Sequence, residues 1–245
     1  MSAPLRIRYR FDLPDGSQKV LDLAFDAASF RLLNPLPPDP PFWTALEFNQ
    51  CANCPLSATR HRHCPAALQM AAALEPLKAL VSFDTVGVTV TQSERTVHVE
   101  TTAQQAMSSV LGLVMATAGC PWTDHLRPMA RFHLPFASET ETVYRCVSMF
   151  LLSRELAANA AGTPASPNAA APPGTERGTF AALEDLYGNL HVVNRGMSRR
   201  LGAATNTDPA RNGIALLDTY TTLLPAALER SLDELRPLFD AWQRR

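Results

Sequence analysis

Ile7, Tyr9 and Phe11 alternate with Arg6, Arg8 and Arg10. A period of two puts the apolar set on one face of a β-strand. Pro14-Asp15-Gly16 supplies turn chemistry and a second run, Val20 to Phe25, returns, so the chain opens on a predicted hairpin. Val86, Val88 and Val90 repeat the alternation, and a second hairpin is expected between Leu80 and Thr101, turning at Ser93-Glu94. Between the two, Pro35, Pro37, Pro38, Pro40 and Pro41 mark an extended connector that no helix crosses. Phe42, Trp43, Leu46 and Phe48 follow as its anchors. Pro65 suits the first turn of a short helix carrying Leu68, Ala71, Ala72 and Leu74.

Beyond this the period changes to that of a helix. Gln104 to Ala118 carries Met107, Val110, Leu111, Val114 and Met115 at three-four spacing, and Gly119 stops it. Thr140 to Ala158 carries Val143, Val147, Phe150 and Leu151. Residues 159–178 hold almost no large apolar side chain and read as an exposed linker. Phe180, Leu183, Tyr187, Leu190, Met197 and Leu201 form the next stripe, with Asn194 inside it. Asp208-Pro209 opens a further helix, and the last one carries Leu228, Leu232, Leu235, Phe239 and Trp242. The expected fold is α+β: N-terminal β-hairpins with a Cys-rich loop, packed on a C-terminal helical bundle. Residues 1–102 form the hairpin region and 103–245 the helical region, interrupted by the linker.

Composition narrows the function. Twenty-two Lys and Arg stand against 23 Asp and Glu, a net charge of −1, which excludes the broad basic field of a general nucleic-acid binder. Apolar residues make up 46 % of the 245, enough for a sizeable core. Residues 1–13 lack the apolar core of a signal peptide, and the longest apolar stretch, Val110 to Ala118, is too short to span a bilayer. The chain is therefore expected to be cytoplasmic and off the membrane.

Three of the five cysteines, Cys51, Cys54 and Cys64, fall within 14 residues. In a reducing compartment, clustered thiols point to metal or redox chemistry rather than disulfides. The C-x2-C pair brings two thiolates to one metal across a tight turn. Cys64 precedes Pro65 at a helix start, where the helix dipole favours a thiolate. Cys120, in Gly119-Cys120-Pro121, is the expected fourth ligand. Cys54, Cys64 and Cys120 each precede proline, a pattern shared with bacterial ferredoxin runs, and this tilts the metal slightly toward a [4Fe-4S] cluster. His61 and His63 tilt it back toward zinc in a Cys3His set. Cys146 lies in the apolar phase of its helix and reads as core.

A second, polar group gathers Arg127, Arg131, His133, Glu139, Glu141 and Arg145 within 19 residues. Arginines clamp anions and a histidine transfers protons, so Arg131, His133, Glu141 and the stripe residue Asn194 are candidate catalytic residues of an enzyme acting on a small anion. The competing reading makes Ser138 a helix cap, places Glu139 and Glu141 in the first turn, and pairs the arginines locally. Nucleotide-binding glycine motifs, H-E-x-x-H and G-x-S-x-G are absent.

The segments Leu46-Glu47-Phe48-x-Gln50-Cys51-x-x-Cys54-Pro55-Leu56, His61-x-His63-Cys64-Pro65, Thr101-Thr102-Ala103-Gln104 and Gly119-Cys120-Pro121 resemble an uncharacterised bacterial family, a domain of unknown function. Arg127-Pro-Met-Ala-Arg131-Phe-His133-Leu-Pro-Phe-Ala137 and Val192-Val193-Asn194-Arg195 belong to the same resemblance. It implies a cytoplasmic bacterial protein carrying these cysteines and supplies no activity. Two function classes follow. One is a metal-binding protein using Cys51, Cys54, Cys64 and Cys120 as a structural, sensing or electron-transfer site, with a protein partner if an apolar patch lies beside it. The other is an enzyme built on the polar group.

Overall fold

The computed structural model describes residues 3–78, 80–160, 180–204 and 208–243. The fold is α+β. Strands β1 (Leu5–Asp12), β2 (Gln18–Phe25), β3 (Thr85–Thr91) and β4 (Thr96–Thr102) form one antiparallel sheet in the order β2-β1-β3-β4. Register follows the alternation. Tyr9 stands opposite Leu21 on one side and Val90 on the other. Ile7, Tyr9, Phe11, Leu21, Leu23, Val86, Val88 and Val90 are all buried on one face. The arginines face outward, where Arg8 pairs with its cross-strand partner Asp22 through a bidentate contact of 2.6 and 3.0 Å. Both groups are exposed, so this pair fixes little. Gly16 takes φ +79° in the first turn, the left-handed region that the sequence reserves for glycine there.

The helices are α1 (Pro65–Leu74), α2 (Ala103–Thr117), α3 (Arg127–Arg131), α4 (Glu139–Ala160), α5 (Ala181–Ala203) and α6 (Asp208–Gln243). None is long and apolar enough to cross a membrane among the described residues. Two compact units emerge: Met1–Phe136 with Leu190–Thr219, and Ala137–Asn189 with Tyr220–Arg245. Residues 102 and 103, where strands give way to helices, both lie inside the first unit. The reason is α2, which is buried around nearly its whole circumference. It packs on β3, β4 and α1. The N-terminal part of α6 also reaches it: a Cβ at Gly213 would come within 2.9 Å of the Ser108 backbone nitrogen.

Several local expectations change. The second hairpin starts at Thr85, because residues 80–84 form a turn in which Leu80 and Ser82 are buried, Val81 and Phe83 are exposed, and Ser82 donates to the Asp208 carboxylate. Of the connector's anchors, Trp43 and Leu46 are buried, but Phe42 is 64 % exposed and meets Phe48 edge-on. On α1 the deepest side chains are Ala66, Ala67, Met70, Ala73 and Leu74, a face rotated away from Leu68. The α5 stripe from Leu183 through Asn194 to Leu201 is buried as its spacing requires. Helix α4 continues through residues 159 and 160; the rest of the expected linker, 161–178, lies outside the described residues.

The second unit has its own buried set: Val143, Cys146, Val147 and Phe150 from α4, Leu183 and Tyr187 from α5, and Leu224, Ala227 and Leu228 from α6. Ser138 and Glu141 exchange hydrogen bonds of 2.8 and 3.2 Å in a capping box at the start of α4. Arg230 pairs with Glu139 at 2.6 Å.

Candidate metal centre

Each cysteine of the first unit sits where its local sequence fixes the backbone. The C-x2-C turn closes by a 3.0 Å hydrogen bond from the Cys54 N–H to the Cys51 carbonyl, and Gln50 braces the loop by donating to the Leu56 carbonyl at 3.0 Å. Cys64 is the residue before α1, extended at φ −70°, ψ 121°, as a residue ahead of proline must be. Its own N–H donates to the Thr44 carbonyl at 2.8 Å, and Leu46 donates to the Arg62 carbonyl at 3.1 Å. The segment 44–46 thus lies alongside 62–64. Gly119, at φ +84°, ends α2 and turns the chain into Cys120. The Thr123 and Asp124 N–H groups then bond the Cys120 carbonyl at 3.0 Å each.

Cys54, Cys64 and Cys120 lie near enough to Cys51 to act on its thiol. Burial pushes the Cys51 thiol up to about 12, and the nearby Cys64, Cys120 and Cys54 push it the same way. Cys64 and Cys120 are also raised, again chiefly by burial. Opposing this, the N–H groups of Ala67 and Ala66 favour the Cys64 thiolate, and those of Trp122 and Thr123 favour the Cys120 thiolate. Two of the loops are tied directly. The Trp122 indole donates to the Asn53 carbonyl, inside the C-x2-C turn, at 2.5 Å. Among the described residues, no three His, Cys, Asp or Glu side chains are arranged so as to hold a metal ion. Cys146 belongs to the second unit, buried, with its thiol raised to about 11 chiefly by burial.

Helix α5 supplies two residues that spacing arguments about cysteines do not reveal. Gly196 lies against Cys51: a Cβ there would stand 2.5 Å from the sulfur. One turn further, Arg200 is only 1 % exposed. Its guanidinium donates to the carbonyls of Trp43, Ala45 and Leu46 at 2.7, 2.6 and 2.8 Å. Its Nε is buried with no acceptor, and among the described residues no carboxylate pairs with it. Its charge acts on Cys51 and Cys64, drawing both thiols toward the thiolate.

The polar group separates into different surroundings. His133 is buried, with Nε2 hydrogen-bonded to the Tyr9 hydroxyl at 2.5 Å, and that hydroxyl in turn meets Ser109 at 2.9 Å. Burial raises the Tyr9 phenol. Arg131 lies over the rings of Phe132 and Phe30, at 5.4 and 5.8 Å. Arg127 pairs with Asp124 at 2.7 Å. Asn194 is buried within the α5 stripe. Glu141 belongs to the second unit, where the Ser138 backbone and hydroxyl hold its carboxyl below the usual range. His61 and His63 line a cleft outside the thiol group, and His63 Nδ1 is bonded to Thr44 Oγ1 at 2.9 Å.

A model of one protein family, a domain of unknown function (DUF6901), matches residues 7–240. The chain belongs to DUF6901. The DUF6901 match takes in the four cysteines, β2 to β4, α1 to α5 and most of β1 and α6. No curated protein and no solved structure matches it.

Proposed function

We propose that the protein binds one metal centre, a [4Fe-4S] cluster or a zinc ion, through the thiolates of Cys51, Cys54, Cys64 and Cys120. The centre serves as a structural, sensing or electron-transfer site. The observation that carries this reading is Arg200. A guanidinium stripped of water needs a compensating negative charge. No carboxylate supplies it among the described residues, whereas the nearby thiols do so once they ionise. Buried neutral thiols do not ionise unaided; a bound cation drives their deprotonation. Four thiolates around Zn²⁺, or around a [4Fe-4S]²⁺ core, leave a net charge of about −2, which a buried cation stabilises. Backbone N–H groups beside the sulfurs favour the same form.

The test is anaerobic, chelator-free purification followed by metal analysis and an absorbance spectrum. Broad visible absorbance with iron and sulfide identifies the cluster; a colourless protein with one equivalent of zinc identifies the other centre. Protein that carries neither, and takes up neither on reconstitution, rejects the proposal.

A further inference from the structure

A cleft of about 360 Å³ opens beside the segment that follows the C-x2-C turn, and its chemistry is separate from that of the thiols. It is a shallow depression largely open to solvent, with Arg60, His61 and Arg62 exposed on its rim. Arg60, His61, Arg62 and His63 form one side. Leu36, Leu68 and Ala118 add apolar surface from the connector, α1 and the end of α2. Among the described residues, no acidic side chain lines the cleft. Neither Arg60 nor Arg62 is paired with a carboxylate among the described residues. In a chain of net charge −1, two arginines without a carboxylate partner on one side of the cleft are a local concentration of positive charge, not a consequence of composition.

Two polar atoms sharpen the picture. The Thr44 hydroxyl donates to the Pro41 carbonyl at 2.7 Å, so it accepts from His63 Nδ1 at 2.9 Å. That assigns a proton to Nδ1. Gln69, also in the lining, has its Oε1 buried without a hydrogen-bond partner.

We propose that this cleft binds a small organic anion, a carboxylate or phosphate monoester carrying a short apolar body, with Arg60 and Arg62 clamping the charged group and Leu36 and Leu68 contacting the body. Planar guanidinium forks bind either oxyanion through paired N–H donors, which is why the two anions share one site chemistry.

The test titrates the full-length protein with phenyl phosphate, phenylacetate, inorganic phosphate and benzyl alcohol, followed by saturation-transfer NMR and calorimetry. Binding of either organic anion, with neither inorganic phosphate nor benzyl alcohol matching it, is the expected result, and the stronger of the two names the oxyanion. The double substitution Arg60→Ala and Arg62→Ala should weaken that binding about tenfold or more. Both side chains are exposed, so the melting temperature should hold. Leu68→Glu, which places a carboxylate in the lining, should abolish binding. No binding at millimolar ligand, equal binding of the alcohol or of inorganic phosphate, or unchanged affinity in the arginine variant overturns the proposal. Metal content of the same samples reports on the thiol centre independently, so failure of one reading is distinguishable from failure of the other.

Discussion

Replacing Arg200 with methionine separates a charge that belongs to a metal centre from a mere structural staple. The guanidinium makes three charged hydrogen bonds, to Trp43, Ala45 and Leu46. Each such bond contributes roughly 1.5–3 kcal/mol. Methionine also removes the desolvation penalty of a buried cation, several kcal/mol, so the net loss of stability should be about 1–3 kcal/mol. With four thiolates ionised around a metal, the same change removes one side of a buried charge pair, and about 3–5 kcal/mol is expected. The difference, about 2 kcal/mol, corresponds to roughly 30-fold weaker metal binding.

Urea unfolding of loaded and chelator-treated protein, wild type and Arg200→Met, gives the four free energies of the cycle, and competition with a chelator gives the affinity directly. Arg200→Lys is the control: it keeps the charge and loses the planar fork, so stability should fall while metal affinity is largely retained. Equal losses in loaded and metal-free protein, within about 0.5 kcal/mol, together with unchanged metal affinity, would refute the argument and leave Arg200 as a tie between α5 and the 43–46 segment.

Three further outcomes follow from particular residues. Gly196→Ala should displace Cys51 and lower metal content, since its Cβ would stand 2.5 Å from the sulfur, whereas Gly188→Ala, with nothing within 4 Å, should stabilise the same helix by about 0.5–1 kcal/mol; melting curves and metal analysis of the two variants check this. Cys64→Ser should lower metal content and Cys146→Ser should not, because Cys146 lies in the other unit; equal loss in both would move the centre elsewhere. Cys146 also sets a pH dependence. Its folded value of about 11 lies above the ordinary 9.0, so the folded state holds its proton longer, and stability falls by roughly 2–3 kcal/mol as pH rises from 9 to 11. Cys146→Ala should lack that component, seen by comparing urea midpoints across this range; identical pH profiles would show that the thiol titrates normally.

The sheet was legible because its signals are local. Alternation over Ile7–Phe11 and Val86–Val90 decides a face within five residues, and Pro14-Asp15-Gly16 decides a turn. The same is true of the capping box at Ser138 and Glu141, which the spacing of serine and glutamate alone predicts. Phe42 and the face of α1 were misread because burial depends on what packs opposite. Leu68 has the hydrophobicity of a core residue, yet a small alanine-rich helix turns Met70 inward and leaves Leu68 on the cleft.

Arg200 lies 136 residues from Cys64 in the chain, and nothing in the sequence around either residue refers to the other. A cysteine pattern names ligands but not the charge that balances them, because compensation acts through space. Periodicity on α5 marks Met197 and Leu201 as inward-facing, and Arg200, immediately before Leu201, would ordinarily be read as a side chain reaching toward water. What reverses that reading is the carbonyl set of Trp43, Ala45 and Leu46, which exists only once the 43–46 segment lies alongside Cys64. The buried guanidinium and Cys64 therefore depend on one local arrangement: the pairing that positions Cys64 also supplies the acceptors that hold Arg200.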